Sequence, residues 1–436
     1  MNLSQTSKID CLTCLDTSSD TTSRQSLLQS KAFNPTALHN AFYKLKKNVC
    51  FKPSVQKYQY YLFENIYNFL NSYKTGTFEF TKGAEFNLCE RGKIRHIVTT
   101  PVADRVPISS LCNNILVPIL RRYLIYDNCA SLEGRGIDMQ KERLKVHLMR
   151  YYRRYKTNQG YVLQGDFSKF FDNLQHDKII KAIAAKIPDT ETIQFLKKIL
   201  KMFRPDLNNL TDTEIEDIKN GTKILNSLTL HKCSKDTVKT LDISVDIGSE
   251  VSQIIGIYYP TRLDNYIKIV KACKYYGRYM DDFYIIHPDK VFLQKLLQDI
   301  KAICKELGLH LNLKKTHITP LNKGFTFLKT KYSISSTGKI RLQLCSDTFK
   351  REKQRLLGQK RLLQTHRICL SDIYHCYKTW RGTVDKPVRD RHRKSLTKRM
   401  YCNYESIDRM DRFFKNLFKE ELKLCQITFQ LYHQTF

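Results

Sequence analysis

At residues 274–287 the sequence reads KYYGRYMDDFYIIH, with aromatic and apolar runs on both sides of two adjacent acids. This pattern predicts two short β-strands that meet at a tight turn, with Met280, Asp281 and Asp282 at or beside its tip. Alternation along a strand sends neighbouring side chains to opposite faces, and two close carboxylates repel each other unless a cation neutralises them. An exposed hairpin turn is the structural alternative, but the apolar flanks favour a cation site.

A third acid, Asp166, follows a short apolar run in YVLQGDF, residues 161–167. The run predicts a strand that ends at Asp166, and the residues beyond it predict an amphipathic helix capped by Asp177. A carboxylate at a strand end faces a cleft while the packed strand fixes its position. Phosphoryl transfer uses two divalent ions about 4 Å apart, and Mg²⁺ prefers carboxylate oxygen. We therefore expect Asp166, Asp281 and Asp282 to converge on two Mg²⁺ ions, for which Mn²⁺ can substitute.

The chain is strongly basic, because 74 lysines and arginines oppose 42 aspartates and glutamates and leave a net charge of +32. This excess predicts salt-dependent binding to a polyanion, foremost a nucleic acid. No apolar run approaches the roughly 20 residues that span a bilayer, so no membrane association is expected. The N-terminus lacks signal-peptide features, which predicts a cytoplasmic protein with reduced thiols. Cys11 and Cys14 form a CxxC, but no second zinc-binding pair follows nearby, and chance is the simpler interpretation.

An ordered set of motifs resembles the reverse transcriptase family. YMDD in an apolar hairpin and DFSKFFD at residues 166–172 are similar to the two acidic palm motifs. Four more segments keep the family's order: the fingers hairpin in GKIRHIVTTP (92–101), the substrate-side loop in IGSEVSQ (247–253), the lysine-bearing segment in LGLHLNLKKTHI (307–318) and the primer grip in GFTFLKTKY (324–332). The resemblance implies an α+β right-hand polymerase, with a palm sheet, fingers and a helical thumb, that copies RNA into DNA.

The resemblance also implies roles for individual residues. Asp166, Asp281 and Asp282 match the catalytic metal triad, with the Phe167 carbonyl as an additional ligand. Phe171 matches the bulky residue under the sugar that excludes a ribose 2′-hydroxyl, although ordinary core packing, as for Phe170, is an alternative. The remaining matches are Lys93 and Arg95 as triphosphate ligands, Gln253 in the nucleotide site, and Lys314 or Lys315 as the general acid that protonates pyrophosphate, with Lys314 our first choice.

Composition, periodicity and the resemblance together divide the chain into five segments. We expect a polar N-terminal arm at 1–35, N-terminal helices broken near Pro53 at 36–84, and fingers at 85–160. A palm with an insertion at about 205–240 is expected at 161–335, and a helical basic thumb at 336–436. The basic N-terminal helices and the thumb are expected to bind RNA through shape and phosphate contacts.

The loop IGSEVSQ lacks the Pro-Gln-Gly that group II intron and retroviral enzymes carry at this place. It resembles bacterial enzymes of diversity-generating retroelements and of abortive-infection and other antiphage systems, as do CYKTWRG and SIDRMDRFFKNLF in the thumb. Antiphage defence is therefore the first expectation for the biological role, and a mutagenic diversity-generating retroelement is the second. An RNA-dependent RNA polymerase and a non-catalytic RNA-binding protein are the alternatives from other classes.

The partners implied are an RNA template, dNTPs and the DNA product. A dedicated non-coding RNA is one form that the template can take. An accessory protein, a homo-oligomer and the priming mode are left open by the sequence.

Overall fold

The computed structural model describes residues 26–81, 83–90, 93–230, 239–385 and 404–423. The strands are β1 (Glu85–Glu90), β2 (Lys93–Val98), β3 (Tyr161–Gly165), β4 (Tyr276–Tyr279), β5 (Asp282–His287), β6 (His317–Pro320), β7 (Phe325–Phe327), β8 (Thr330–Ile334) and β9 (Ile340–Leu344). The helices are α1 (Leu27–Lys31), α2 (Pro35–Lys46), α3 (Pro53–Tyr60), α4 (Leu62–Lys74), α5 (Val102–Leu111), α6 (Val117–Leu120), α7 (Ile137–Tyr155), α8 (His176–Ala184), α9 (Thr190–Met202), α10 (Asp212–Lys219), α11 (Glu250–Tyr258), α12 (Thr261–Asn265), α13 (Lys290–Leu307), α14 (Ser346–Gln364), α15 (Leu370–Asp385) and α16 (Tyr404–Leu417).

The central sheet has the strand order β4-β5-β3-β6, and all of its neighbouring strands are antiparallel. Strand β3 lies inside this sheet, where Val162 and Leu163 are fully buried. Strands β4 and β5 form the hairpin predicted from residues 274–287, with Tyr279 paired to Asp282 across the turn. Both predictions are confirmed, and they place the ends of β3 and of the β4–β5 hairpin at one edge of the sheet.

Two smaller sheets flank this core. Strands β1 and β2 form the predicted basic hairpin, and β7, β8 and β9 form a three-stranded antiparallel sheet. Strand β9 lies inside the range 336–436 that was expected to be helical, so that expectation is wrong for its first residues. The reason is a period of two along the strand. Ile340 and Leu342 are buried while Arg341 and Gln343 face solvent, and β9 pairs with β8 along its whole length.

In the N-terminal region, core packing begins at an earlier residue than the sequence predicted, and the chain is divided into more helices. The predicted arm ended at residue 35, but Leu28, Ala32 and Phe33 already lie in the main hydrophobic core. Between Pro35 and Lys74 there are three helices rather than two, since α3 and α4 are separated at Tyr61. Residues 1–25, which include the CxxC, lie outside the described part of the chain.

Helix α8 also begins earlier than predicted. Its N-cap is Gln175, and Asp177 lies in the first turn instead of capping it. The extended backbone at Gln175 pairs with Ile243, and the His176 amide donates to the Asp242 carbonyl, so the long segment that returns from the insertion replaces a side-chain cap. Across the described ranges, no helix is long and apolar enough to cross a bilayer.

Candidate active site

The turn between β4 and β5 is a two-residue loop formed by Met280 and Asp281. Met280 has φ of +54°, in the left-handed region that favours glycine. A non-glycine residue there costs about 1–2 kcal/mol, so the surrounding structure must hold the turn in place. Strain of this kind concentrates at functional sites, and here it lies next to the two acids.

Asp166 comes to face Asp282 through the strand register. Gly165 of β3 pairs with Phe283 of β5, so the next position of each strand brings Asp166 opposite Asp282. Directly opposed residues of an antiparallel pair have Cβ atoms about 5 Å apart, which is within reach of a shared cation. Gly165 permits this approach, because a Cβ on it would lie 2.1 Å from Cζ of Phe283.

Crowding of these carboxylates shows in the titration of Asp282. Its pKa is raised to about 7, first by burial and then by the charge of Asp281 and by a hydrogen bond and charge from Asp166. Lys315 opposes the shift. The three acids therefore form one electrostatic unit in which negative charge exceeds the single positive charge of Lys315, as a site for divalent cations would.

Lys315 lies against this unit. Its Nζ donates to Oδ2 of Asp166 at 2.7 Å. Asn312 positions the segment, since its Nδ2 donates to the same oxygen at 3.2 Å and its backbone amide to the Asp166 carbonyl at 2.8 Å. Burial alone would lower the pKa of Lys315, but its bond to Asp166 and the nearby acids raise it. The side chains of Lys314 and Lys315 are both exposed, and Lys315 is the one whose Nζ is bonded to an acid of the triad.

The two phenylalanines after Asp166 have different surroundings. Phe170 is buried and stacks on Phe167, with 5.5 Å between ring centroids. Phe171 is only half-buried and lies over α11, where a Cβ on Gly256 would come within 3.0 Å of its Cε1. Gln253 lies one turn earlier on α11 with an exposed side chain. Phe171 is thus more accessible than Phe170, which belongs to the core, and α11 carries both its contact Gly256 and the exposed Gln253.

The fingers hairpin is tied to the same region by Asp246. Its Oδ1 accepts a hydrogen bond from the amide of Val98 at the end of β2, at 3.2 Å. Burial raises the pKa of Asp246 to about 7, against the lowering effect of two backbone hydrogen bonds. Arg95 is exposed on β2, and Lys93 begins that strand, with its side chain outside the described part. Sequence reasoning missed Asp246, for which the only signal was its position next to IGSEVSQ.

The acids are close without forming a completed metal site. In the described ranges no three His, Cys, Asp or Glu side chains are grouped so that they could hold a metal ion. Asp166 and Asp282 are in contact, and Asp281 reaches Asp282 through its charge. The donor set suits Mg²⁺, because hard carboxylate oxygens crowd one another and repel. The ring of Phe167 is buried, so only its backbone carbonyl is available as a ligand.

Comparison with known proteins identifies a family that matches most of the chain. Residues 82–360 match the family described as reverse transcriptase (RNA-dependent DNA polymerase). No curated protein sequence matches the chain.

Similar solved structures include three structures of telomerase from two Candida species. Apo telomerase from Candida tropicalis is 16% identical, with a TM-score of 0.42, and the match covers 81% of this chain and 63% of that one. The same telomerase truncated of its C-terminal domain is 16% identical, with a TM-score of 0.39, and the match covers 60% of this chain and 55% of that one. Telomerase from Candida albicans in complex with a fragment of telomeric RNA is 14% identical, with a TM-score of 0.42, and the match covers 78% of this chain and 55% of that one. The chain thus spans somewhat more than half the length of these structures.

Proposed function

Because the chain belongs to the reverse transcriptase family, the RNA-dependent DNA polymerases, we propose that it makes complementary DNA from an RNA template at Asp166, Asp281 and Asp282. The observation that carries this proposal is the placement of Asp166 opposite Asp282, where burial, and then the neighbouring acids, raise the Asp282 pKa to about 7. Under this proposal the fingers are residues 85–160, the palm 161–335 with an insertion at about 205–240, and the thumb 336–436.

In the proposed reaction, Asp166 and Asp281 would hold two Mg²⁺ ions, and Asp282 and the Phe167 carbonyl would support them. When bound, these ions would activate the primer 3′-hydroxyl and neutralise the triphosphate, and Mn²⁺ can substitute for them. Lys315 stays protonated at neutral pH, because Asp166 and its neighbours raise its pKa. Its Nζ can therefore donate a proton to the departing pyrophosphate. We propose Lys315 rather than Lys314 as this general acid, because Lys315 is bonded to Asp166.

Selection of deoxynucleotides is proposed to depend on Phe171. Its half-buried ring is backed by α11 at Gly256, so it cannot retreat from a ribose 2′-hydroxyl without displacing that helix. Gln253 on the exposed side of the same helix is proposed to contact the nucleotide. Lys93 and Arg95 of the fingers hairpin are proposed to bind the triphosphate, where negative charge builds during transfer. Asp246 ties that hairpin to the palm.

The RNA partner is proposed to contact the N-terminal helices as well as the thumb. Helices α3 and α4 expose several aromatic rings, among them Tyr60 at 81%, Phe63 at 77% and Tyr67 at 69%. Between Pro35 and Lys74 there are six lysines and a single acid, Glu64. Rings that stack on bases, next to cations that bind phosphates, are the usual chemistry of single-stranded nucleic acid binding. A dedicated non-coding RNA would supply such a strand.

The biological role is proposed to be antiphage defence in the bacterial cytoplasm. The support is the loop IGSEVSQ at the place where group II intron and retroviral enzymes carry Pro-Gln-Gly. Genomic neighbourhood tests this role: an adjacent template and variable repeat would instead indicate a diversity-generating retroelement. Loss of phage resistance in cells that carry the Asp281→Ala variant is the expected result under the defence role.

Activity is tested by primer extension on an RNA template with purified protein, Mg²⁺ and either dNTPs or NTPs. We expect dNTP incorporation that falls at least about 10³-fold in Asp281→Ala, since the ligand set is then incomplete. Asp299→Ala is the matched control, because Asp299 is an exposed acid of α13 that pairs with Lys271. Equal use of NTPs would indicate an RNA polymerase, and full activity of Asp281→Ala would indicate that these acids are not catalytic.

A further inference from the structure

Arg278 is the largest fully buried side chain of the described residues, and it lies in β4 two positions before Met280. Its guanidinium forms a forked ion pair with Asp264 of α12, from Nε to Oδ1 at 2.8 Å and from Nη2 to Oδ2 at 2.6 Å. Tyr276 donates its hydroxyl hydrogen to the same carboxylate. The fork geometry leaves the other N–H groups of Arg278 aimed in fixed directions.

Those remaining donors connect two parts of the site. Nη1 donates to the Met280 carbonyl at 2.9 Å, and Nη2 donates to the Ile257 carbonyl at 2.8 Å. Met280 forms the strained turn with Asp281, and Ile257 lies on α11, one residue after Gly256, the glycine that backs Phe171. One guanidinium therefore spans from the turn that carries the acids to the helix on the nucleotide side.

We propose that Arg278 is a positioning residue, which sets the distance and orientation of the Asp281–Asp282 turn relative to α11. The inference rests on the proposed catalytic role of these acids. Arg278 itself is buried and touches no reacting atom. It acts through the Met280 carbonyl, which belongs to the peptide unit that joins Met280 to Asp281, so its hydrogen bond restrains the strained turn.

The backbone of Arg278 is anchored on its other side. Its amide donates to the Asp127 carbonyl at 3.2 Å, and the Asp127 carboxylate binds Arg143 and Lys268, each at 2.7 Å. Asn128 donates its Nδ2 to the Ile257 carbonyl at 3.1 Å, so that carbonyl is shared with Arg278. These contacts fix both the main chain and the side chain of Arg278, so a shift of α11 and a shift of the turn are mechanically coupled.

Stability alone does not account for this arrangement. Replacing a buried ion pair by apolar residues of similar volume is often neutral or stabilising, because the desolvation cost of both charges disappears. The apolar replacement would, however, leave the Met280 carbonyl without its donor. The two roles can therefore be separated by experiment.

The test uses the triple variant Arg278→Met, Asp264→Leu, Tyr276→Phe in the full chain, in single-turnover extension of a primer on an RNA template. The expected result is a folded protein, by near-UV circular dichroism, in which the rate per folded molecule falls about 10²-fold and the half-saturating Mg²⁺ concentration rises. The wild-type rate in the same assay reports on the proposed polymerase activity separately. A rate and Mg²⁺ dependence equal to those of the wild type would overturn the proposal.

The thumb provides a matched control, a network of the same three residue types, arginine, aspartate and tyrosine. Tyr377 and Arg381 both donate to Asp411, at 2.6 Å and 2.9 Å, in a network that is remote in sequence from the acids. The variant Arg381→Met, Asp411→Leu, Tyr377→Phe should leave the half-saturating Mg²⁺ concentration unchanged.

A single substitution covers the case in which the palm triple variant does not fold. Arg278→Lys keeps the buried charge, but one ammonium cannot reach Asp264, Ile257 and Met280 together. A folded Arg278→Lys protein with a wild-type rate and wild-type Mg²⁺ dependence refutes the proposal, and a reduced rate with a raised Mg²⁺ requirement supports it.

Discussion

Asp282→Asn should stabilise the metal-free protein at neutral and basic pH while it lowers polymerase activity. The carboxyl of Asp282 has its pKa raised from 3.8 to about 7, because it is buried and lies near Asp281 and Asp166. An asparagine cannot ionise, yet its Nδ2 can still donate to Asp166 as the protonated carboxyl does. The substitution therefore removes the repulsion and keeps the hydrogen bond.

The size and sign of the effect follow from linkage. Between pH 3.8 and about 7 the unfolded chain has lost the Asp282 proton while the folded chain retains it, so the wild type loses stability as pH rises through this interval. A shift of about 3 units at about 1.4 kcal/mol each gives about 4 kcal/mol, an upper bound because solvent screens a half-buried carboxyl. The advantage of Asp282→Asn should be near zero below pH 4 and reach its full value above pH 7.

Amide hydrogen exchange of β3 and β5 is the appropriate measurement, in EDTA at pH values from 5 to 8. Fluorescence of Trp380, the single tryptophan, would report on the thumb helix α15 instead. Asp299→Asn is the control, and its effect on stability should be opposite to that of Asp282→Asn. Hydrogen bonds from Lys271 and Tyr266 lower the pKa of Asp299, whereas the pKa of Asp282 is raised. Added Mg²⁺ should stabilise the wild type more than Asp282→Asn.

Two outcomes would refute this reasoning about Asp282. One is a variant that is no more stable than the wild type at pH 8 without metal. The other is a gain in stability that is the same at pH 5 and at pH 8, since crowding of ionised carboxylates must depend on pH.

Three further substitutions test other parts of the site. Phe171→Ala should raise the ratio of NTP to dNTP incorporation at least about tenfold, whereas Phe170→Leu, in the core, should leave that ratio unchanged. Lys315→Met should lower the single-turnover rate by about 10²-fold, and Lys314→Met should lower it far less. Gly165→Ala should destabilise the palm by about 3 kcal/mol, measured by hydrogen exchange, because its Cβ would overlap the ring of Phe283.

Local patterning was sufficient for the elements that carry the acids. The alternation around residues 274–287 predicts both strands of the hairpin, and the apolar run before Asp166 predicts β3. The convergence of the acids was expected from the chemistry of two-metal phosphoryl transfer, but the pairing of β3 with β5 was not predicted, because periodicity does not say which strands are neighbours. Once β3 and β5 are paired, their register places Asp166 opposite Asp282.

Contacts between distant segments could not be predicted in the same way. The ion pair of Arg278 with Asp264 joins a strand to a helix, and nothing local marks Asp264 as its partner. Neighbouring lysines 314 and 315 look alike in sequence, and the choice between them depends on how Asn312 docks on Asp166. Strand β9 was missed because basic and polar residues dominate its exposed face, which resembles the surface of a thumb helix.

The turn that carries Asp281 and Asp282 is unfavourable by itself and is held by its surroundings. Met280 adopts a backbone conformation that its side chain disfavours, and Asp282 is crowded by two other acids. Neither feature would persist if the turn could relax, so the fixed network of Arg278 and the bond from Lys315 to Asp166 are required together. A divalent cation would relieve the repulsion, but it would not hold the Met280 carbonyl. Mg²⁺ and Arg278 are therefore expected to contribute separately, so saturating Mg²⁺ should not restore the full rate to a folded variant that lacks the guanidinium.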